Sequence, residues 1–166
     1  MINYIEKGYA LHQAIRAAGH WLHEENGVWI SSNDEAVQAI IDSFDAAAGA
    51  RAAKVAAIDA HAAKLRNKVV AGISPAEMSS WPLKVKEAIA YLADASADTP
   101  MLTMEAQARQ ITVLELAQRV KANSDQLAML EAVIAGNAGR HRDAVAALTD
   151  WQAVSAYDFS TGWPEI

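Results

Sequence analysis

The sequence contains no cysteine. This absence excludes disulfide scaffolds, thiolate zinc sites and cysteine nucleophiles together. The lysines and arginines form no basic cluster and the net charge is −6, so nucleic acid is not an expected partner. No uninterrupted apolar run approaches the ~20 residues that a membrane span needs, and the N-terminus has no charged-then-apolar leader. We therefore expect a soluble protein made in a cytoplasm, with neither a membrane nor a nucleic-acid partner.

Large aromatic side chains are also scarce, with 2 Phe and 4 Tyr against 37 Ala in 166 residues. Alanine has the highest helix propensity but buries little surface. This composition favours long helices in close contact over a thick aromatic core. The sequence therefore predicts a mainly α protein with three segments: a small α+β hairpin module over residues 1–45, an Ala-rich helical domain over 46–148, and an aromatic C-terminal tail over 149–166.

The first segment is organised around the pair Asn26-Gly27, which separates two β-prone runs. Both residues tolerate positive φ, so the pair predicts a two-residue hairpin turn that places Glu24 opposite Trp29 and Leu22 opposite Ser31. Residues 1–6 are interpreted as a short strand, and Gly19 as the end of a helix that precedes the hairpin. A lone hairpin is marginally stable in water, so the two flanking helices are expected to cover one of its faces.

Helix starts and ends are marked by local signals along the rest of the chain. Ser32 with Glu35 predicts a capping box for a helix after the hairpin, and Ser74-Pro75 predicts the start of another helix. Pro82 is expected to kink that second helix or to move its start to near Ser80. A stripe of apolar residues is expected to be buried along it: Met78, Trp81, Val85, Ala88 and Leu92.

A longer helix is predicted from about Val113 to Leu148, with a sustained heptad pattern. Its seam is expected to pack against another helix, in an antiparallel bundle or in a coiled coil between chains. Its polar members are interpreted as residues that fix register or partner number. The seam positions are Val113, Leu116, Val120, Asn123, Leu127, Leu130, Ile134, Asn137, His141, Ala144 and Leu148. The glycines of the Gly136–Gly139 stretch are interpreted as a kink or a close approach between helices.

Catalytic and metal-binding patterns are weak. His20 and His23 are three residues apart, which on a strand places them on opposite faces and suits chelation poorly. His61 and His141 are better interpreted as helix-packing histidines, and no paired carboxylates or phosphate loop stand out. We therefore predict no enzyme activity, no catalytic residues, no metal and no cofactor.

Tryptophans are the better candidates for function, because tryptophan often anchors protein interfaces. Trp21 and Trp29 cannot both be buried under so small a hairpin unless both faces are covered. One interpretation is a local core with the flanking helices; the other is that one tryptophan anchors a binding surface. The candidate partner-binding residues are Trp21, Trp29 and Ile30 on the hairpin and Trp151 and Trp163 in the tail.

Three parts of the chain resemble bacteriophage tail-fibre-associated or tail-fibre assembly proteins of the kind common in Pseudomonas prophages. They are residues 10–22 with 26–32 and 36–42, residues 73–82 with the helical run to Gly139, and residues 156–158 with 162–164. The resemblance covers most of the chain. It implies a phage tail setting, with a tail-fibre or baseplate protein as partner, and it implies no catalytic residues.

The leading hypothesis is therefore a non-enzymatic phage tail protein that binds the tail fibre. It would act as an assembly factor in the host cytoplasm or as a fibre-bound component of the virion. The alternative is a self-assembling structural protein of the tail or baseplate, whose long helix forms a coiled coil in a homo-oligomer.

Overall fold

A computed structural model describes the backbone of residues 4–166 and the side chains from residue 8 onward. The chain is mainly helical, with a small antiparallel hairpin between its first two helices and a long helix near its C-terminus, which confirms the predicted fold class. The elements in chain order are α1 (Tyr4–Ala17), β1 (Leu22–Glu25), β2 (Val28–Ser31), α2 (Asp34–Ser43), α3 (Ala48–Val69), α4 (Pro75–Ala93), α5 (Pro100–Arg109), α6 (Val113–Ala146) and α7 (Trp151–Ala156).

The chain divides into two compact units, each assembled from separate stretches of sequence. Unit 1 takes the described residues through Asp59 together with Gly139–Thr161, and unit 2 takes Ala60–Ala138 with Gly162–Ile166. These bounds differ from the three consecutive segments of the sequence interpretation, because α3 and α6 each contribute residues to both units.

The hairpin of unit 1 has the predicted register, with Leu22 opposite Ser31 and Glu24 opposite Trp29. Asn26 and Gly27 both have positive φ, at 51° and 79°, as a turn of this type requires. Leu22 packs with residues of α1 and α2 in one hydrophobic cluster, so the two helices cover one face of the hairpin as expected. The buried members are Leu11, Ile15, Leu22 and Val37, with Trp29, Ile40, Ile41 and Phe44 packed against them.

Two details at the ends of these helices differ from the sequence prediction. The strand over residues 1–6 is wrong where the structure describes it, because α1 already begins at Tyr4; residues 1–3 lie outside the described part. Over only six residues, an alternation of apolar and polar side chains cannot distinguish a strand from a helical turn. Asn33, rather than Ser32, is the N-cap of α2, and its side chain accepts a hydrogen bond from Ala36 N.

Ser32 instead completes the hairpin, which explains the shift of the cap by one residue. Its backbone N–H donates to the carbonyl of Trp21 at 3.1 Å, and its hydroxyl oxygen accepts from the Trp21 N–H at 3.2 Å. The predicted end of α1 at Gly19 is confirmed. Gly19, at φ 83°, donates to the Arg16 carbonyl, and His20 donates to the Ile15 carbonyl, which is the Schellman pattern.

Unit 2 is built around the contacts of α4, α5 and the first turns of α6. The buried residues of its cluster are Ala88, Leu102, Ala106, Leu116 and Ala117. The cap of α4 is as predicted, with Ser74 accepting from Glu77 N at 3.1 Å. The helix starts at Pro75 and continues through Pro82, so the predicted alternative start near Ser80 is wrong.

The first three members of the predicted stripe of α4 are partly buried, and the differences from the prediction lie near the end of the helix. Ala88 is fully buried, whereas Leu92 is exposed and Glu87 is buried. Glu87 turns inward because its carboxylate accepts hydrogen bonds from backbone N–H groups at the start of α5: Leu102 at 2.9 Å and Met101 at 3.4 Å. A buried carboxylate requires such partners, and no local signal around Glu87 in the sequence points to them.

Candidate protein-binding surface

The hairpin has one face covered by helices and one face open. Side chains alternate along a strand, so the open face carries Trp21, His23, Glu25, Val28 and Ile30, which we call the outer hairpin face. Its apolar members are well exposed: Trp21 at 49%, Val28 at 62% and Ile30 at 37%. The Trp21 and His23 rings stack with centroids 5.1 Å apart. Large apolar side chains gathered on one exposed face are a feature of protein-binding sites.

The candidate residues of the hairpin therefore separate into two groups. Trp21 and Ile30 lie on the outer hairpin face, while Trp29 packs against the core cluster of unit 1. Trp29 therefore belongs to a local core and Trp21 is exposed, and the interpretation that one tryptophan anchors a binding surface stays a prediction. Val28 was missed by sequence reasoning, although its place opposite Glu25 in the predicted register puts it on the same face as Ile30.

The outer hairpin face lies in the most acidic stretch of the chain. Between Arg16 and Arg51 there is no lysine or arginine. The same stretch contains six acidic residues: Glu24, Glu25, Asp34, Glu35, Asp42 and Asp45. The Arg51 side chain, which donates to Asp45, lowers the pKa of that carboxyl. A partner for this surface should therefore combine apolar side chains with positive charge.

The C-terminal tail is docked on the helices. In unit 1, Lys54 donates to the backbone carbonyls of Ser155 and Tyr157 at 2.8 and 2.9 Å. Val154 of α7 is fully buried, and Trp151 is partly buried with its indole Nε1 bonded to none of the described residues. In unit 2, the ring of Trp163 lies 4.8 Å from that of His61. Both candidate tryptophans of the tail thus make intramolecular packing contacts.

His141 holds the tail within unit 1. It is almost fully buried, and its Nε2 lies 3.0 Å from the Thr161 carbonyl. Because a carbonyl only accepts, Nε2 donates to Thr161, and Nδ1 lies 2.8 Å from the Tyr157 hydroxyl. The Ser160 backbone N–H and hydroxyl lower the pKa of Asp158 in the same segment. This arrangement positions a peptide segment and leaves the imidazole no open side for a substrate.

The other seam residues of α6 differ in burial. Leu116, Ile134 and His141 are buried, whereas Asn123 is exposed. The remaining seam positions are partly buried: Val113, Val120, Leu127, Leu130, Asn137, Ala144 and Leu148. Asn137, a polar seam position, donates from Nδ2 to the Gly162 carbonyl at 2.6 Å and so fixes the end of the tail in unit 2.

Chemistry elsewhere in the described residues is limited. No group of three or more His, Asp or Glu side chains is placed to hold a metal ion among the described side chains of residues 8–166. His20 Nδ1 lies 3.1 Å from the Ser32 hydroxyl, and His23 stacks on Trp21 instead. An open groove of about 580 Å³ in unit 1 is lined by Asp45, Arg51, Val55, Val145 and Thr149, among others. The Asp45–Arg51 ion pair occupies the polar side of this groove.

No protein-family model, curated protein or solved structure matches this chain. In the part of the chain that the structure describes, no helix combines the length and apolar character needed to cross a membrane.

Proposed function

We propose that this chain is a non-enzymatic interaction protein that binds another protein through the outer hairpin face. The observation that carries the proposal is the exposure of Trp21, Val28 and Ile30 on one side of a hairpin whose other side is covered by helices. Tryptophan is one of the residue types most often responsible for binding energy at protein interfaces. Glu25 on this face and the absence of lysine and arginine between Arg16 and Arg51 favour a partner with basic groups.

The setting we propose is the tail of a bacteriophage, with the tail fibre or baseplate as partner. This part of the proposal rests on the resemblance of the quoted segments, and the apolar members of the outer hairpin face, Trp21, Val28 and Ile30, fall inside the first of them. The chain would act either as an assembly factor in the host cytoplasm or as a fibre-bound component of the virion.

Binding to the tail-fibre protein encoded in the same genome tests the proposal directly. We expect Trp21→Ala to weaken binding at least about tenfold, because truncating a tryptophan that anchors an interface costs ~2 kcal/mol or more. Leu83→Ala, which truncates an apolar side chain of unit 2 that is 46% exposed, is the matched control and should bind as the parent does. Failure of the parent chain to bind, or equal binding by Trp21→Ala, overturns the proposal. A genome without a tail-fibre gene overturns the phage setting.

A second candidate function is a self-assembling tail or baseplate structural protein. It is favoured by Met129 and Val133 of α6, which are 70% and 44% exposed and lie four residues apart on one helix face. Light scattering on the purified chain separates the two candidates. A stable oligomer that Met129→Lys dissociates supports self-assembly, and a monomer at all concentrations supports the first candidate.

Mass spectrometry of purified particles decides between the two roles within the leading proposal. Stoichiometric presence identifies a structural part of the tail. Absence from particles, together with binding to fibre protein in infected cells, identifies an assembly factor that leaves.

A further inference from the structure

The hydrogen-bond pattern of the hairpin shows which backbone groups point away from it. The Ser32 N–H donates to the Trp21 carbonyl at 3.1 Å, so these two residues form a hydrogen-bonded pair. Such pairs alternate with non-bonded pairs along an antiparallel ladder. In the observed register the pairs of Leu22 with Ser31 and of Glu24 with Trp29 are non-bonded. The N–H and C=O groups of Leu22 and Glu24 therefore point outward from the free edge of β1.

This edge is open within the described part of the chain. Neither the backbone of residues 4–166 nor any side chain of residues 8–166 hydrogen-bonds the outward N–H or C=O groups of Leu22 and Glu24. His23, Glu24 and Glu25 are exposed along it. The opposite edge of the hairpin, on β2, is followed directly by a helix, because β2 ends two residues before the N-cap of α2. An unpaired strand edge is a template for pairing with another chain.

We propose that the partner of the outer hairpin face contributes an extended segment, which pairs with the open edge of β1 as a third strand. The inference rests on the proposed function and specifies how that same surface binds. A two-stranded hairpin is marginal alone, and a third strand stabilises it. The backbone groups of Leu22 and Glu24 supply hydrogen bonds without regard to the partner's side chains, while the outer hairpin face selects among partners.

The charges of this region define the chemistry of the added strand. Its side chains on the open side lie beside Trp21, His23 and Glu25, and those on the other side lie beside Leu22 and Glu24. Both rows are apolar at the Trp21–Leu22 end and acidic at the Glu24–Glu25 end, so a segment with apolar residues at one end and basic residues at the other satisfies both rows. A second copy of this chain fits poorly, because its own β1 would bring Glu24 and Glu25 to the same acidic edge.

Glu24→Pro tests strand addition by removing a single backbone hydrogen-bond donor. Proline removes the Glu24 N–H, which points away from β2, so the internal ladder stays complete; proline is tolerated at such edge positions. Glu24→Ala is the matched control, because it removes the same carboxylate and keeps the N–H. We expect Glu24→Pro to bind the purified tail-fibre protein about tenfold more weakly than Glu24→Ala. Near-ultraviolet circular dichroism of the tryptophans reports whether each variant keeps its fold.

Amide exchange of the parent chain gives a second measurement that needs no variant. Adding the fibre protein should protect the amides of Leu22 and Glu24, which make no hydrogen bond to the described part of the free chain. Strand addition is overturned if Trp21→Ala weakens fibre binding but the two amides are not protected and Glu24→Pro binds as tightly as Glu24→Ala. The proposed function still stands in that case. A parent chain that does not bind overturns both. Protection that grows with the concentration of the chain alone identifies a second copy as the occupant and overturns the proposed partner.

Discussion

Glu87 shows how one side chain can join two helices. Its carboxylate, 7% exposed, lies on α4 and accepts from the backbone N–H groups of Met101 and Leu102 in the first turn of α5. Thr99, the N-cap residue of α5, makes no side-chain cap bond. The free N–H groups of a helix start need acceptors, and a negative charge there is favoured by the helix dipole. Glu87 therefore replaces the missing local cap.

We expect Glu87→Ala to lower the free energy of unfolding by about 1.5–3 kcal/mol, since it removes charged hydrogen bonds and leaves buried donors unpaired. Glu87→Gln keeps one acceptor oxygen and should lose less. Urea denaturation measures both, and Lys86→Ala, at the neighbouring exposed position, is the control. Equal stability of the Glu87→Ala and Lys86→Ala variants would contradict this role.

The residue scale also shows where prediction from sequence ends. The two tryptophans of the hairpin are similar in local sequence, and the turn at Asn26-Gly27 fixes their register but not which face the helices cover. Glu87 is a polar residue beside an apolar stripe, which by pattern alone indicates solvent. Its inward orientation depends on N–H groups fourteen and fifteen residues further along the chain. No local sequence pattern predicts that these groups lie close to Glu87 in the folded chain.

Among the elements, those fixed by local chemistry were predicted best. The hairpin register follows from one dipeptide, the start of α4 from Ser74 and Pro75, and the end of α1 from Gly19. The start of α6 at Val113 also has a local cause, because the Thr112 hydroxyl accepts from Glu115 N at 3.1 Å. The prediction of Ser32 as the N-cap of α2 was wrong because two local signals competed for this residue. Ser32 is instead the last hydrogen-bonded partner in the hairpin.

The two glycines inside α6 provide a test at this scale. The helix continues through Gly136 and Gly139, and a Cβ added at either would have no heavy atom within 4 Å. The close helix approach considered from sequence is therefore absent within the described chain. We expect Gly136→Ala and Gly139→Ala each to raise the free energy of unfolding by about 0.5–1 kcal/mol, because alanine loses less backbone entropy on folding.

Gly27→Ala is the contrasting variant for this series, since φ of 79° at Gly27 disfavours any residue with a Cβ. It should destabilise the chain in the same denaturation assay. Destabilisation by Gly136→Ala as well would indicate that another helix, from a partner or a second copy, occupies the space beside α6.

At the scale of the whole molecule, the division of the chain into units was predicted from the sequence less well than the individual helices and strands were. The aromatic tail was treated as a third segment, whereas its residues are divided between the two units. The contacts responsible join distant positions: Lys54 with Ser155 and Tyr157 in unit 1, and Asn137 with Gly162 in unit 2. Most of these bonds use backbone carbonyls as acceptors, so they leave no signature in the identities of the tail residues.

Two truncations should therefore affect different parts of the protein. A chain ending at Thr161 loses the Trp163–His61 contact and the Asn137–Gly162 hydrogen bond. We expect a loss of about 1–2 kcal/mol, with faster amide exchange around His61 and Asn137. Exchange around Leu11 should stay unchanged, because its cluster contains none of the removed residues.

A chain ending at Thr149 removes much more of what unit 1 buries. It loses Val154, which is fully buried, and the Tyr157 and Thr161 partners of the buried His141. Burial of one valine contributes ~1.5–3 kcal/mol and each lost bond ~1 kcal/mol, so we expect a loss of at least about 3 kcal/mol. Exchange should then rise around Lys54 and His141 beyond the change seen in the shorter truncation. If both truncations instead raised amide exchange in the Leu11 cluster equally, the two units would unfold as one. The division of the tail between the two units would then have no separate effect on the stability of either.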